Sequence, residues 1–126
     1  MPMKDILKIF KALSDPTRLR IVLLLRQREL CVCELMFILN MEQSRVSRHM
    51  RVLRDGGIAE SVRDGRWIIY RVPEEMKDLL DGLFSGPLRE RIELSREAAG
   101  DVKKLDACLQ QNLRGSVCES RPRAEG

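Results

Sequence analysis

The sequence predicts a mainly α-helical domain with one small β-hairpin, and three observations predict it. Apolar residues recur at helical spacing through the first half of the chain, Asp64-Gly65 separates two β-prone runs between Ile58 and Val72, and Asp15-Pro16 and Pro73-Glu74-Glu75 stand where helices start.

The elements follow in order. Ile6, Leu7, Ile9, Phe10 and Leu13 form a helical stripe that stops at Ser14-Asp15-Pro16. Asp15 can accept the orphan N–H groups of a second helix, and Pro16 at its first position loses no hydrogen bond. That helix, Thr17 to Arg26, is apolar around much of its circumference, as a central helix is. A third is expected over Val32 to Leu39, with Leu35, Ile38 and Leu39 inward. A polar break, Asn40-Met41-Glu42-Gln43, precedes a fourth that begins near Ser44 and carries Val46, Met50 and Leu53 at i, i+4 and i+7. Asp55-Gly56-Gly57 ends it, glycine tolerating the left-handed conformation that follows many helices. Two short helices joined by a polar turn, the second studded with Ser and Arg, make a helix-turn-helix with its recognition helix. The hairpin, Ile58–Val62 and Trp67–Val72 around Arg63-Asp64-Gly65-Arg66, makes a wing. A further helix runs from Pro73 through Met76, Leu79, Leu80 and Leu83 to Ser85-Gly86-Pro87. The last helical stretch is expected from Leu88 to about Leu113, interrupted at Gly100. The organisation is thus one domain, 1–113, and a C-terminal tail, 114–126, whose Ser, Pro, Arg, Glu and Gly content predicts mobility.

Charge and cysteine placement narrow the function. Between Gln43 and Arg71 stand seven arginines (45, 48, 51, 54, 63, 66 and 71) against three acids, so this segment carries the whole of the formal +4. A basic patch confined to the helix-turn-helix and wing is the footprint of polyanion binding. No run of 18 apolar residues and no signal-peptide core exists, so no membrane role is expected and the cytoplasm is the expected compartment. There the cysteines (31, 33, 108 and 118) stay reduced, and the closely spaced Cys31 and Cys33 read as metal-binding or redox-active before they read as a structural disulfide. No nucleophile-base constellation appears, so catalysis is not expected; a thiol-disulfide oxidoreductase would need a βαβ pattern around the pair, and none is there.

Four motifs follow one another in order: Ala12-Leu13-Ser14-Asp15-Pro16-Thr17-Arg18-Leu19-Arg20-Ile21, Glu29-Leu30-Cys31-Val32-Cys33-Glu34-Leu35, Ser47-Arg48-His49-Met50 and Gly65-Arg66-Trp67. Together they resemble the ArsR/SmtB family of metal-sensing repressors, over about residues 6 to 73. The Cys-Val-Cys run is similar to that of the arsenical-resistance operon repressors, which respond to arsenite and antimonite. The resemblance implies a winged helix-turn-helix that dimerises through its N- and C-terminal helices. It implies a homodimer on an inverted-repeat, double-stranded operator of its own operon, needing no cofactor to bind DNA and released when thiolates capture As(III) or Sb(III). Many such repressors carry a third cysteine three residues after the second; here that position is Met36. Cys118 is then the first candidate for a third ligand and Cys108 the second, within or across a dimer. With neither, an organic arsenical such as methylarsenite would need only two thiolates. The family's zinc sites use histidines and carboxylates on the C-terminal helix, whereas the single histidine, His49, falls in the recognition helix.

Trivalent arsenic and antimony are soft centres suited to thiolates. On a regular helix, residues i and i+2 lie about 200° apart, so Cys31 and Cys33 converge on one ion only if the start of the third helix distorts. For DNA, the recognition helix offers Gln43, Ser44, Arg45, Ser47, Arg48 and His49, with Arg48 the foremost base reader and the serines suited to phosphate. His49 reads equally well as a packing or capping residue. Arg63 and Arg66 flank the hairpin turn and would reach phosphate or minor groove; Arg51 and Arg54 read as a solvated face, and Trp67 and Tyr70 as wing-root packing. Two other readings remain open: a winged-helix repressor switched by thiol oxidation, and a winged helix used for protein contacts.

Overall fold

A computed structural model describes residues 1–111. The expected tail at 114–126 and Cys118 lie outside the described residues. Within them the elements are α1 (Met3–Leu13), α2 (Pro16–Gln27), β1 (Leu30–Cys31), α3 (Val32–Leu39), α4 (Gln43–Asp55), β2 (Glu60–Asp64), β3 (Trp67–Arg71), α5 (Glu74–Leu83), α6 (Pro87–Glu93) and α7 (Arg96–Gln110).

Local chemistry sets most of these boundaries. The Asp15 carboxylate accepts the N–H groups of Thr17 and Arg18 at 2.9 and 3.1 Å, and Pro16 opens α2. Asn40 closes α3 in the left-handed conformation, φ 54°, and the Met41 N–H donates back to the Met36 carbonyl, so the chain turns within three residues into α4. Gly57, at φ 77°, performs the same service after α4.

The fully buried side chains come from several layers at once: Ile21, Val22 and Leu24 of α2, Leu35 and Ile38 of α3, Val46, Met50 and Leu53 of α4, and Leu80 of α5. Each contributes about 1.5–3 kcal/mol by leaving water. α3 packs against both α4 and α7, and α7 also lies on α2. In α1, Ile9 and Ala12 are the buried positions, whereas Leu7 and Phe10 stay more than half exposed.

Three expectations need correction. The sheet has three strands in the order β1-β3-β2, not two, because Leu30 pairs with Tyr70 and Cys31 with Ile69 ahead of α3. The hairpin loop is Gly65-Arg66, not Asp64-Gly65: Asp64 pairs with Trp67, and Gly65 alone takes a positive φ, 62°, as a II′ turn demands of its first residue. The last helical stretch breaks at Leu94-Ser95 and not at Gly100, which lies inside α7. Ser95 outcompetes the glycine because its hydroxyl accepts the Ala98 N–H at 3.2 Å and caps a new helix.

Candidate nucleic-acid interface and thiol corner

α4 has one face that holds and one that shows. Val46, Met50 and Leu53 anchor it in the core. Ser44, Arg48 and Arg51 recur at i, i+4 and i+7 on an exposed stripe, with Arg45 exposed beside them. Gln43 and Ser47 are half-buried at its edges. An α-helix that presents guanidinium groups and hydroxyls while its apolar face is fixed is what major-groove reading requires.

His49 points elsewhere. Its Nδ1 lies 3.5 Å from an Arg18 guanidinium nitrogen and 3.9 Å from the Asp15 carboxylate, so it braces α4 against the start of α2. Burial holds its pKa below the ordinary histidine range; the Asp15 carboxylate opposes that shift, and the guanidinium groups of Arg18, Arg45 and Arg48 add to it. Arg18 completes the brace by donating from Nε to the Ala12 carbonyl at 2.8 Å. Asp15 is desolvated, yet the backbone N–H of Arg18, the cations beside it and the N–H of Thr17 together keep its carboxyl below the usual value.

The wing offers its own cations. Arg63 is exposed on β2, and Arg66 sits in the loop itself rather than beside it, its guanidinium 6.0 Å over the Trp67 ring. At the root, Tyr70 is buried, and Arg71 and Glu60, directly opposite across the strands, pair at 2.7 Å. The Trp67 Nε1 is buried without a hydrogen-bond partner.

The thiol corner is built differently. Cys31 is 1% exposed and serves twice, as the last residue of β1 and as the N-cap of α3 in extended conformation. It is not itself helical, so the 200° helical separation from Cys33 does not apply as expected: only Cys33 sits in the first helical turn. Glu34 closes a capping box, its buried carboxylate accepting the Cys31 N–H at 2.8 Å. Cys33 is half-buried and packs against the small Cys31–Ile69 cluster as well as the main core. Cys108 comes from α7, buried in that main core, its pKa pushed up to about 11 by burial, then by the Glu34 carboxylate and by Cys31. Among the described residues no group of three or more His, Cys, Asp or Glu side chains is placed to hold a metal ion. Met36 packs at the core edge.

Two contributors were missed in the sequence. Glu34 was legible, because an N-cap residue followed three positions later by glutamate is the capping-box pattern with sulfur in the hydroxyl's place. Asp101, buried on α7 and held by both nitrogens of the Arg20 fork at 2.8 and 2.9 Å, left no local signal, since its partner is 81 residues away. No described helix is long and apolar enough to cross a membrane.

Known proteins are similar to this chain in sequence and fold. Residues 15–61 match the family described as bacterial regulatory protein, arsR family. The chain is 37% identical over 111 residues to the arsenic resistance transcriptional regulator ArsR2 of Pseudomonas putida, covering 87% of this chain and 94% of that one. It is 43% identical over 79 residues to ArsR1 of the same organism, a match that spans 62% of each chain. Among solved structures, the homodimeric winged helix-turn-helix DNA-binding domain Mb0332 of Mycobacterium bovis superposes with a TM-score of 0.64 at 28% identity, over 75% of this chain and 87% of that one.

Proposed function

Since the chain belongs to the arsR family of bacterial regulatory proteins, which are DNA-binding transcriptional repressors and not enzymes, we propose that it represses an arsenic-resistance operon and is released by trivalent arsenic or antimony. It binds as a homodimer to an inverted-repeat operator, and Cys31 and Cys33 are the thiols that capture the effector. One observation carries this reading: Cys31 ends the strand that pairs with wing strand β3 and caps the helix that packs on α4. Pulling Cys31 toward a soft ion with Cys33 therefore loads both DNA-reading elements from one atom. The effector lowers affinity by binding the DNA-incompetent arrangement better than the competent one.

α4 supplies the base contacts, with Arg48 the foremost reader and Gln43, Ser44, Arg45 and Ser47 around it; Arg63 and Arg66 reach the backbone or minor groove from the wing. His49 acts from behind, as the brace to Asp15. The exposed Leu7 and Phe10 of α1 support a dimer that covers them. A two-fold dimer sets its half-sites roughly 34 Å, or a multiple of one helical turn, apart.

The test is fluorescence anisotropy on labelled DNA from upstream of the protein's own gene, under reducing conditions, titrated with arsenite and separately with zinc. Release by arsenite from the wild type and not from Cys31→Ser is the expected result. Tight binding indifferent to arsenite in both proteins would overturn the effector assignment while leaving the repressor in place.

A further inference from the structure

Outside residues 43–71 the formal charges cancel, and that balance conceals a second basic feature. The chain has six lysines, and three of them, Lys4, Lys8 and Lys11, stand on α1 at i, i+4 and i+7. All three are exposed. At about 100° per residue they share one sector of the helix, about 60° wide. Roughly 100° to one side of it lie the buried Ile9 and Ala12, and roughly 100° to the other lie the exposed Met3, Leu7 and Phe10, the apolar face that the dimer covers. The lysines therefore belong neither to the core nor to the dimer face. Among the described residues no ion pair takes up any of the three, whereas Lys77 is paired with Glu74 at 3.1 Å.

α1 is packed beside the recognition helix. The Lys8 carbonyl oxygen and the Ala12 Cβ each lie 3.5 Å from where a Cβ on Gly56, at the end of α4, would stand. One nitrogen of the Arg18 guanidinium donates to the Lys11 carbonyl at 3.4 Å, while the other lies 3.5 Å from His49 Nδ1 in the middle of α4. The C-terminal half of α1 thus follows α4 from Gly56 back to His49, which directly succeeds Arg48 and stands one turn after Arg45. Lys8 and Ala12 are about 40° apart around the helix, so the lysine sector borders the edge of α1 that meets α4.

We propose that the lysine stripe of α1 is a second contact surface for operator DNA, holding backbone phosphates beside the bases that α4 reads. This rests on the reading of α4 as the DNA-reading helix. The chemistry suits phosphate and not base edges, because an ammonium on a flexible stem is a point charge without the planar fork that selects a base. The stripe adds affinity for every sequence alike and leaves discrimination to Arg48 and its neighbours. Each phosphate it neutralises releases condensed counterions, so its contribution is written in the salt dependence of binding.

The test measures the affinity of the full chain for the operator duplex and for an unrelated duplex across a potassium chloride series. Wild type is compared with a variant carrying Lys4→Gln, Lys8→Gln and Lys11→Gln together, and with a charge-matched control carrying Lys77→Gln, Lys103→Gln and Lys104→Gln, all at exposed positions. In the α1 variant the slope of log affinity against log salt is expected to flatten by at least about two, since each phosphate contact contributes about 0.9. Affinity at about 0.15 M salt is expected to fall at least about tenfold for both duplexes, with their ratio kept within about threefold. The control is expected to change the slope by less than about 0.5. Ethylation interference should mark phosphates whose modification weakens the wild type and not the α1 variant. Melting and sedimentation should show the α1 variant folded and associated as the wild type is; if it is not, Lys8→Gln alone carries the test, with a slope change of at least about 0.9 expected. An unchanged slope in a folded variant, or an equal change in the control, would overturn the proposal. Failure of the wild type to bind either duplex would instead overturn the reading of α4, and the proposal with it.

Discussion

α4 and α7 both pack against α3, and they distribute their chemistry in opposite ways. α4 keeps Val46, Met50 and Leu53 inside and shows Ser44, Arg45, Arg48 and Arg51 to solvent, whereas α7 turns a carboxylate and a thiol, Asp101 and Cys108, into the core. On α4, core packing and exposed polar chemistry use separate residues, so each can change without the other. On α7 the polar groups are themselves part of the core, so chemistry and stability move together.

The sharpest way to break that contrast is Asp101→Ala. It leaves the Arg20 guanidinium partnerless in a pocket where it is only one-quarter exposed, and the expected loss is about 2–4 kcal/mol, somewhat less than for a fully buried pair. Urea unfolding measures it; a loss below about 0.5 kcal/mol would mean that α7 is not anchored through this pair. Arg48→Ala tests the other side. Operator affinity is expected to fall by about 1–3 kcal/mol with relaxed discrimination at one base, while the unfolding midpoint stays at the wild-type value. A drop in stability there would show that recognition on α4 is not separable after all. On the wing, Arg63→Ala is expected to weaken binding to all DNA sequences alike and to lower the salt-dependence slope by about one, read from affinities across a salt series.

The smallest effect comes from His49, the α4 residue that breaks the pattern by facing inward. Its pKa in the folded protein lies below the ordinary 6.5, so folding favours the neutral ring. That contribution is complete above 6.5 and is lost as the pH falls through 6.5 and then through the lower folded value. The melting midpoint of the wild type should therefore fall more than that of His49→Gln between about pH 7.5 and about pH 5.5. The Asp15 contribution, whose pKa is held below the ordinary 3.8, survives throughout that range and is lost only at stronger acidity.

What could be read in the sequence divides along the same line. The apolar spacing of α4, the Asp15-Pro16 start of α2 and the arginine concentration in the helix-turn-helix and wing are local patterns, and each appears in the structure where the sequence put it. β1 escaped because two residues cannot display an alternation, and its pairing partners lie some forty positions on, at Tyr70 and Ile69. The Gly100 break was misplaced because a glycine inside a helix lowers its stability only modestly, whereas Ser95 supplies a real cap. The inward face of α7 was opaque for a deeper reason: Asp101 and Cys108 look like ordinary surface and incidental residues until tertiary contact with Arg20 and α3 gives them neighbours.

β1 has a consequence for how this chain can change length. A strand of two residues has no slack, and Cys31 is held both by its place opposite Ile69 and by its role as the N-cap of α3. One residue inserted or deleted between Arg28 and Val32 would slide that pairing by one step and turn the cysteine's side chain to the opposite face of the sheet. The linker from α2 to α3 is therefore a measured length, and a residue gained or lost within the strand moves the thiol.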